Sequence, residues 1–91
     1  MYKSVVRQNI YEEIVQERDR QDRKFGHQKH ADHIWLSLVV EEVGEVAECL
    51  NDGMNKGLVR TELVQVAALV VAWLEKLRED EYEGKNINDT F

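Results

Sequence analysis

The sequence predicts an all-α fold: a small bundle of three main helices that is completed by homo-oligomerisation. The chain has 91 residues, no proline and five glycines, too few turn-forming residues for many short strands. Apolar residues recur at helical spacing in three segments. The last segment is apolar on nearly every side, and so short a chain has little other surface with which to cover it.

The first helix is predicted over residues 4–24. Val6, Ile10 and Ile14 repeat every four residues and give this segment one apolar stripe. Its end is highly charged, and Gly26 follows as a candidate cap, because glycine readily adopts the left-handed conformation that terminates helices.

The second helix is predicted over residues 33–51. Asp32 precedes it and is a plausible N-cap, since aspartate accepts hydrogen bonds from the free N–H groups of the first turn. The dipeptide Asp52-Gly53 predicts its end.

The third helix is predicted over residues 59–78. From about residue 79 the sequence is polar, which predicts a frayed helix end and a tail. Because no internal repeat or low-complexity linker interrupts the chain, residues 1–91 are predicted to form a single domain.

Composition and charge narrow the class of partner and compartment. A net charge of −6 argues against a nucleic-acid polymer as partner, because such binding draws on basic residues. The single cysteine, Cys49, excludes an internal disulfide. The N-terminus lacks the apolar run of a signal peptide, and the longest apolar run, residues 66–74, is too short for a bilayer. We therefore expect a cytoplasmic protein without membrane contact.

The second helix collects negative charge on one side, which we call the acidic face. At ~100° per residue, its four glutamates fall within about a third of the helix circumference. They are Glu41, Glu42, Glu45 and Glu48. Between Lys29 and Lys56 there is no lysine or arginine, so a hard divalent cation such as Mg²⁺ or Mn²⁺ is a candidate counter-charge. The alternative is a solvated face, because exposed carboxylates repel only weakly in water.

Glu62 is the notable acid of the third helix, and it shares a helix face with Gln65. A carboxylate on a largely buried helix rarely stays unpaired, so Glu62 is a candidate ligand facing the acidic face. Alternatively, Glu62 only complements the helix dipole from the first turn.

The acidic helix resembles that of the MazG-like nucleotide pyrophosphohydrolases, in the all-α NTP pyrophosphatase superfamily. The resemblance covers about residues 18–77. It lies in "RDRQDRKFG" before the first motif, in "WLSLVVEEVGEVAE", which contains E-E-x-x-E at Glu41, Glu42 and Glu45, and in "ELVQVAALVVAWLE", which begins at Glu62. The predicted domain is accordingly a single MazG-like domain.

This resemblance implies helical homodimers or homotetramers with the active site in a cleft between helices. It implies Mg²⁺-dependent hydrolysis of (deoxy)nucleoside triphosphates to the monophosphate and pyrophosphate, with Mn²⁺ as a possible substitute. It assigns catalytic roles to Glu41, Glu42 and Glu45. Metal binding falls to Glu42, Glu45, Glu62 and Gln65. The metal would orient the phosphates and lower the pKa of a water for in-line attack.

The basic residues nearest the acidic helix are candidates for substrate binding. Arg23 and Lys24 adjoin the turn that leads to it, and Lys56 lies in the glycine-containing loop before the third helix. Such side chains can hold phosphate oxygens. Arg18 and Arg20 are better explained as surface ion pairs with neighbouring acids.

One position departs from the pattern. The family's second helix carries E-x-x-D, and its aspartate falls at Gln65, three residues after Glu62, where an amide brings no charge to a divalent ion. This departure motivates an alternative function, a non-catalytic helical oligomer that binds a nucleotide or a protein partner. A third possibility is a structural helical adaptor without metal.

Overall fold

A computed structural model describes residues 2–53 and 55–83 of the chain. Its three helices are α1 (Tyr2–Phe25), α2 (Asp32–Asn51) and α3 (Lys56–Tyr82). The described residues contain no strand. The all-α prediction of three main helices is therefore confirmed.

Two glycines end helices as the sequence indicated. Gly26 has a φ of 70° and Gly53 a φ of 69°, a region that residues with a Cβ rarely adopt. The Gly26 N–H donates to the carbonyl of Asp22 at 2.9 Å, which closes the last turn of α1.

The prediction that Asp32 caps α2 is wrong. Ala31 holds the N-cap position and provides no side-chain hydrogen bond. Asp32 is the first helical residue, and its carboxylate accepts a hydrogen bond from the Trp73 indole at 2.9 Å. That hydrogen bond lowers the pKa of Asp32. A contact with α3 thus replaces the expected local one.

Helix α3 extends beyond its predicted limits of residues 59–78 at both ends. It starts at Lys56 because Asn55 is its N-cap, and the Asn55 side chain accepts a hydrogen bond from the Leu58 N–H at 2.9 Å. It continues to Tyr82, into the segment predicted as a polar tail. The rest of that tail, residues 84–91, lies outside the described residues.

Helix α3 occupies the centre of the arrangement. It packs against both α1 and α2, whereas α1 and α2 do not pack against each other within the described chain. The buried residues are Trp35 on α2 and, one turn apart on α3, Ala68 and Ala72. The small side chains of Ala68 and Ala72 leave space beside α3. Trp35 is the large side chain that is fully buried.

The single chain is more open than a compact domain. Its radius of gyration is 15.7 Å, whereas a compact domain of this length has about 12 Å. Its accessible surface is 7022 Å², whereas a compact monomer of this mass exposes about 5,500 Å². Large apolar side chains on all three helices contribute to this surface.

Helix α3 also has the length and composition of a membrane span, with an 18-residue segment of mean hydropathy 1.6. The apolar run of residues 66–74 is therefore part of a longer apolar helix, and its length does not exclude a bilayer. The core helix of a soluble protein has the same length and composition. Only 11% of the segment is buried inside the chain.

Candidate metal centre

Three carboxylates from two helices converge between α2 and α3. One oxygen from each of Glu42, Glu45 and Glu62 lies within 4.8 Å of the others. Glu42 and Glu45 are three residues apart on α2 and share a helix face, while Glu62 approaches from the second turn of α3. We call these three residues the carboxylate cluster.

The electrostatics of the cluster are unfavourable without a cation. Partial burial of Glu42, followed by the neighbouring Glu45 carboxyl and the charge of Glu62, raises the pKa of Glu42 to about 7. No basic side chain among the described residues forms an ion pair with the cluster. One proton held by Glu42 relieves part of this repulsion near neutral pH.

The donor atoms of the cluster fit a hard divalent cation. Oε2 of Glu42 and Oε2 of Glu62 are both buried and have no hydrogen-bond partner, and unsatisfied buried carboxylate oxygens are costly. Carboxylate oxygens are the ligands that Mg²⁺ and Mn²⁺ prefer. Within the described chain, this is the one group of three histidine, cysteine or acidic residues close enough to share an ion.

The other acidic and amide residues predicted for the site lie around the cluster. Glu41 is exposed and outside the group of three, but its negative charge contributes to the raised pKa of Glu42. Gln65 is half-buried and follows Glu62 by three residues on α3, so the two share a face. Their roles in catalysis and metal binding stay predictions.

Cys49 lies close enough to the cluster to respond to its charge. Partial burial, and then the negative charge of Glu62, raises the pKa of the Cys49 thiol. A raised pKa keeps the thiol protonated at neutral pH, which makes it a poor nucleophile and a poor metal ligand.

The three predicted substrate-binding residues do not contact the carboxylate cluster in the described chain. Arg23 lines a small cleft between α1 and α3, of about 300 Å³, whose α3 wall is Thr61 and Val64. The Lys24 ammonium sits 5.1 Å from the centre of the Phe25 ring, and Lys56 is exposed at the start of α3. Among the described residues, none of the three basic residues pairs with the cluster.

A larger groove was not apparent from the sequence. It has a volume of about 590 Å³ and lies between the end of α1, the following loop and the second half of α3. Trp35 lines it, two turns before Glu42 and on the same face of α2. No residue of the carboxylate cluster lines this groove, and Trp35 lies ~10 Å from Glu42 along α2. The size of the groove suits a small-molecule ligand.

Arg18 borders this groove and connects two helices. It donates from Nη2 to Oε1 of Glu75 on α3 at 2.6 Å and to Oδ1 of Asp22 at 2.8 Å. The pair with Asp22 agrees with the predicted surface ion pair. The contact with Glu75 joins residues 57 apart in the chain, so no local pattern could have indicated it.

Comparisons with known protein families, with curated proteins and with solved structures found no match for this chain. The resemblance to the MazG-like pyrophosphohydrolases therefore stays a prediction.

Proposed function

We propose that this protein is a Mg²⁺-dependent nucleotide pyrophosphohydrolase that converts (deoxy)nucleoside triphosphates to the monophosphate and pyrophosphate. The observation that carries the proposal is the convergence of Glu42, Glu45 and Glu62 within 4.8 Å without a basic partner. Crowded carboxylates of this kind are expected where a divalent cation supplies the missing charge.

Helices α2 and α3 both contribute residues to the proposed chemistry. Glu42 and Glu45 from α2 and Glu62 from α3 hold the cation, and the half-buried Gln65 offers an amide oxygen beside them. Bound there, Mg²⁺ supplies the positive charge that neutralises a triphosphate and acidifies a water. Without the cation, Glu42 holds a proton near neutral pH, because its pKa is raised to about 7. That proton must leave for Glu42 to bind the cation. Glu41 adds negative charge at the exposed side of the cluster.

The remaining parts of the substrate need other surfaces. The groove beside Trp35 has the volume for the nucleoside. Arg23, Lys24 and Lys56 are exposed and are the candidates for reaching phosphate oxygens. We further propose that the enzyme works in the cytoplasm as a homodimer or homotetramer, with α3 as the core helix of the assembly rather than a membrane span.

The direct test is pyrophosphate release from a panel of canonical and modified nucleoside triphosphates, with Mg²⁺ and with Mn²⁺. Metal-dependent release of pyrophosphate and monophosphate is the expected result. Glu45→Gln should lower turnover by on the order of 100-fold or more, because a charged ligand to the metal is lost. Glu12→Gln is the matched control on the exposed surface of α1. Equal turnover in wild type and Glu45→Gln would exclude the proposal.

Gln65 favours one second candidate, an oligomer that binds a nucleotide without hydrolysing it. This candidate predicts metal-dependent nucleotide binding and no product. Gln65→Asp adds a carboxylate one turn from Glu62 and should then tighten metal binding. If Gln65→Asp changes neither metal affinity nor turnover, Gln65 does not contact the metal.

A further inference from the structure

We infer that the outer face of α2 is the surface on which a second copy of this chain packs. This face carries an apolar stripe with alternating spacings of four and three residues. Its members, which we call the outer stripe, are Leu36, Val40, Val43, Ala47 and Leu50. This spacing is typical of helices that pack lengthwise at about 20°.

The described part of the chain leaves the outer stripe largely uncovered. Val40 is 60% exposed, Leu50 62% and Leu36 52%. Trp35, next to Leu36 in the sequence, is 1% exposed because it faces α3. The apolar residues of α2 are thus divided between an inner set that α3 covers and an outer set that nothing in the described chain covers.

Gly44 borders the outer stripe in the middle of α2. A Cβ at this position would meet nothing within 4 Å, so packing inside the chain does not require a glycine there. Glycine inside a helix is destabilising relative to alanine. Ser37 and Asn51 lie on the same border and are also uncharged and exposed. The small side chains of this border let a second helix approach closely, with Glu41 and Glu48 one turn beyond Ser37 and Gly44.

The amount of exposed surface favours a second copy as the occupant. The accessible surface of 7022 Å² exceeds that of a compact monomer of this mass by roughly 1,500 Å². This excess is spread over the apolar side chains of all three helices, and part of it lies on the outer stripe. A standard stable interface buries about 800 Å² per partner, which is less than the excess. An identical stripe has the same spacing, which makes the face self-complementary about a twofold axis.

Charge sets the orientation of the two α2 helices. The glutamates of the acidic face lie ~120° or more around the helix from the centre of the outer stripe, so they do not meet across the interface. Helix α2 has no basic residue in its last turn. An antiparallel partner brings its positive helix N-terminus to this end, whereas a parallel partner brings a second negative end. The two helices therefore pack antiparallel, with Val43 near the axis.

This inference rests on the homo-oligomeric part of the proposed function and is independent of hydrolysis. The test compares Val40→Glu with the matched control Val5→Glu, because both valines are 60% exposed in the single chain. Light scattering after gel filtration should give a wild-type mass that is a multiple of 10.7 kDa. Val40→Glu should lower that mass twofold, and Val5→Glu should leave it unchanged. A monomeric wild type, or a Val40→Glu protein with the wild-type mass, would overturn the inference.

Cross-linking gives a second readout that does not require the interface to be broken. In a Cys49→Ser background, Val43→Cys should form a disulfide-linked dimer under mild oxidation, because the axis brings the two positions together. Leu50→Cys should not, because antiparallel packing places it opposite Leu36. Cross-linking at both positions would contradict the antiparallel arrangement, and cross-linking at neither would place the interface elsewhere. Hydrolysis assays on the same proteins separate a failure of this surface from a failure of the proposed enzyme.

Discussion

The two helix pairs of this chain are held together by different forces. The α2–α3 pair contains all the buried residues of the described chain, Trp35, Ala68 and Ala72. Helix α1 contains none. Ile14 of α1 is half-buried, and two ion pairs join α1 to α3, Arg18 with Glu75 and Arg60 with Glu13.

The carboxylate cluster lies between α2 and α3, and α1 contributes no residue to it. Apolar burial between α2 and α3 stabilises the contact that brings Glu62 against Glu42 and Glu45. The exposed Arg60 pair contributes little to stability, and the Arg18 pair contributes more because its guanidinium is largely covered. With no buried apolar residue of its own, α1 should still open at lower free energy than α2 and α3. The candidate metal centre therefore lies in the more stable pair.

The largest effect is expected from Trp35→Ala, which empties the centre of the α2–α3 pair. Loss of a fully buried tryptophan costs about 3–5 kcal/mol, a large fraction of the stability of a small domain. Urea unfolding followed by circular dichroism measures this cost. Tyr2→Ala is the aromatic control, because Tyr2 is 80% exposed and its loss should stay within about 0.5 kcal/mol. A cost below about 1 kcal/mol for Trp35→Ala would show that this pair is not the core.

A smaller effect is expected from Arg18→Ala, at the contact between α1 and α3. The Arg18 side chain is 12% exposed and holds Glu75 and Asp22, so its loss should cost about 1–2 kcal/mol. Arg60→Ala, at a side chain 71% exposed, should cost less than about 1 kcal/mol. Hydrogen exchange should accelerate in α1 and not in α2. Equal acceleration in both helices would remove the distinction between the two pairs.

The smallest effect is a pH-dependent one from Glu42. Its pKa is raised from 4.5 to about 7, so between these values the folded protein binds more protons than the unfolded chain, and stability falls as pH rises. Without metal, the Tm should drop by a few degrees between pH 5 and pH 8, because solvent screening at the exposed Glu45 limits the effect. Mg²⁺ should restore the Tm at pH 8 and not at pH 5. Glu42→Gln should lose both responses; a Glu42→Gln protein that behaves as wild type would contradict this account.

Local signals were sufficient to predict that three helices form, but not where α3 begins and ends. Gly26 and Gly53 follow the ends of α1 and α2 with positive φ angles. Glycine adopts such angles readily because it has no Cβ, so the residue type alone predicts the helix end. Asp32 shows the limit of such signals. Its carboxylate is engaged by Trp73, 41 residues away, and a tertiary contact of this kind overrides a capping preference.

The spacing of apolar residues predicted the helix α2, but it did not show which of these residues face the core of the chain. Trp35 and Leu36 are consecutive apolar residues of α2, yet the first is buried and the second is exposed. In the same way, the grouping of Glu42 with Glu45 follows from helix geometry. The position of Glu62 near them depends on how α3 packs against α2. The spacing of residues within α2 cannot predict that packing.

The most direct test of the central claim is Mn²⁺ binding to the wild type and to Glu62→Gln, measured by titration calorimetry and by electron paramagnetic resonance. If Glu42, Glu45 and Glu62 form one centre across two helices, the wild type binds Mn²⁺ and Glu62→Gln binds it at least about tenfold more weakly. Circular dichroism should show that Glu62→Gln stays folded, since the change relieves repulsion. Wild-type affinity in Glu62→Gln, or no binding by the wild type, would contradict the account.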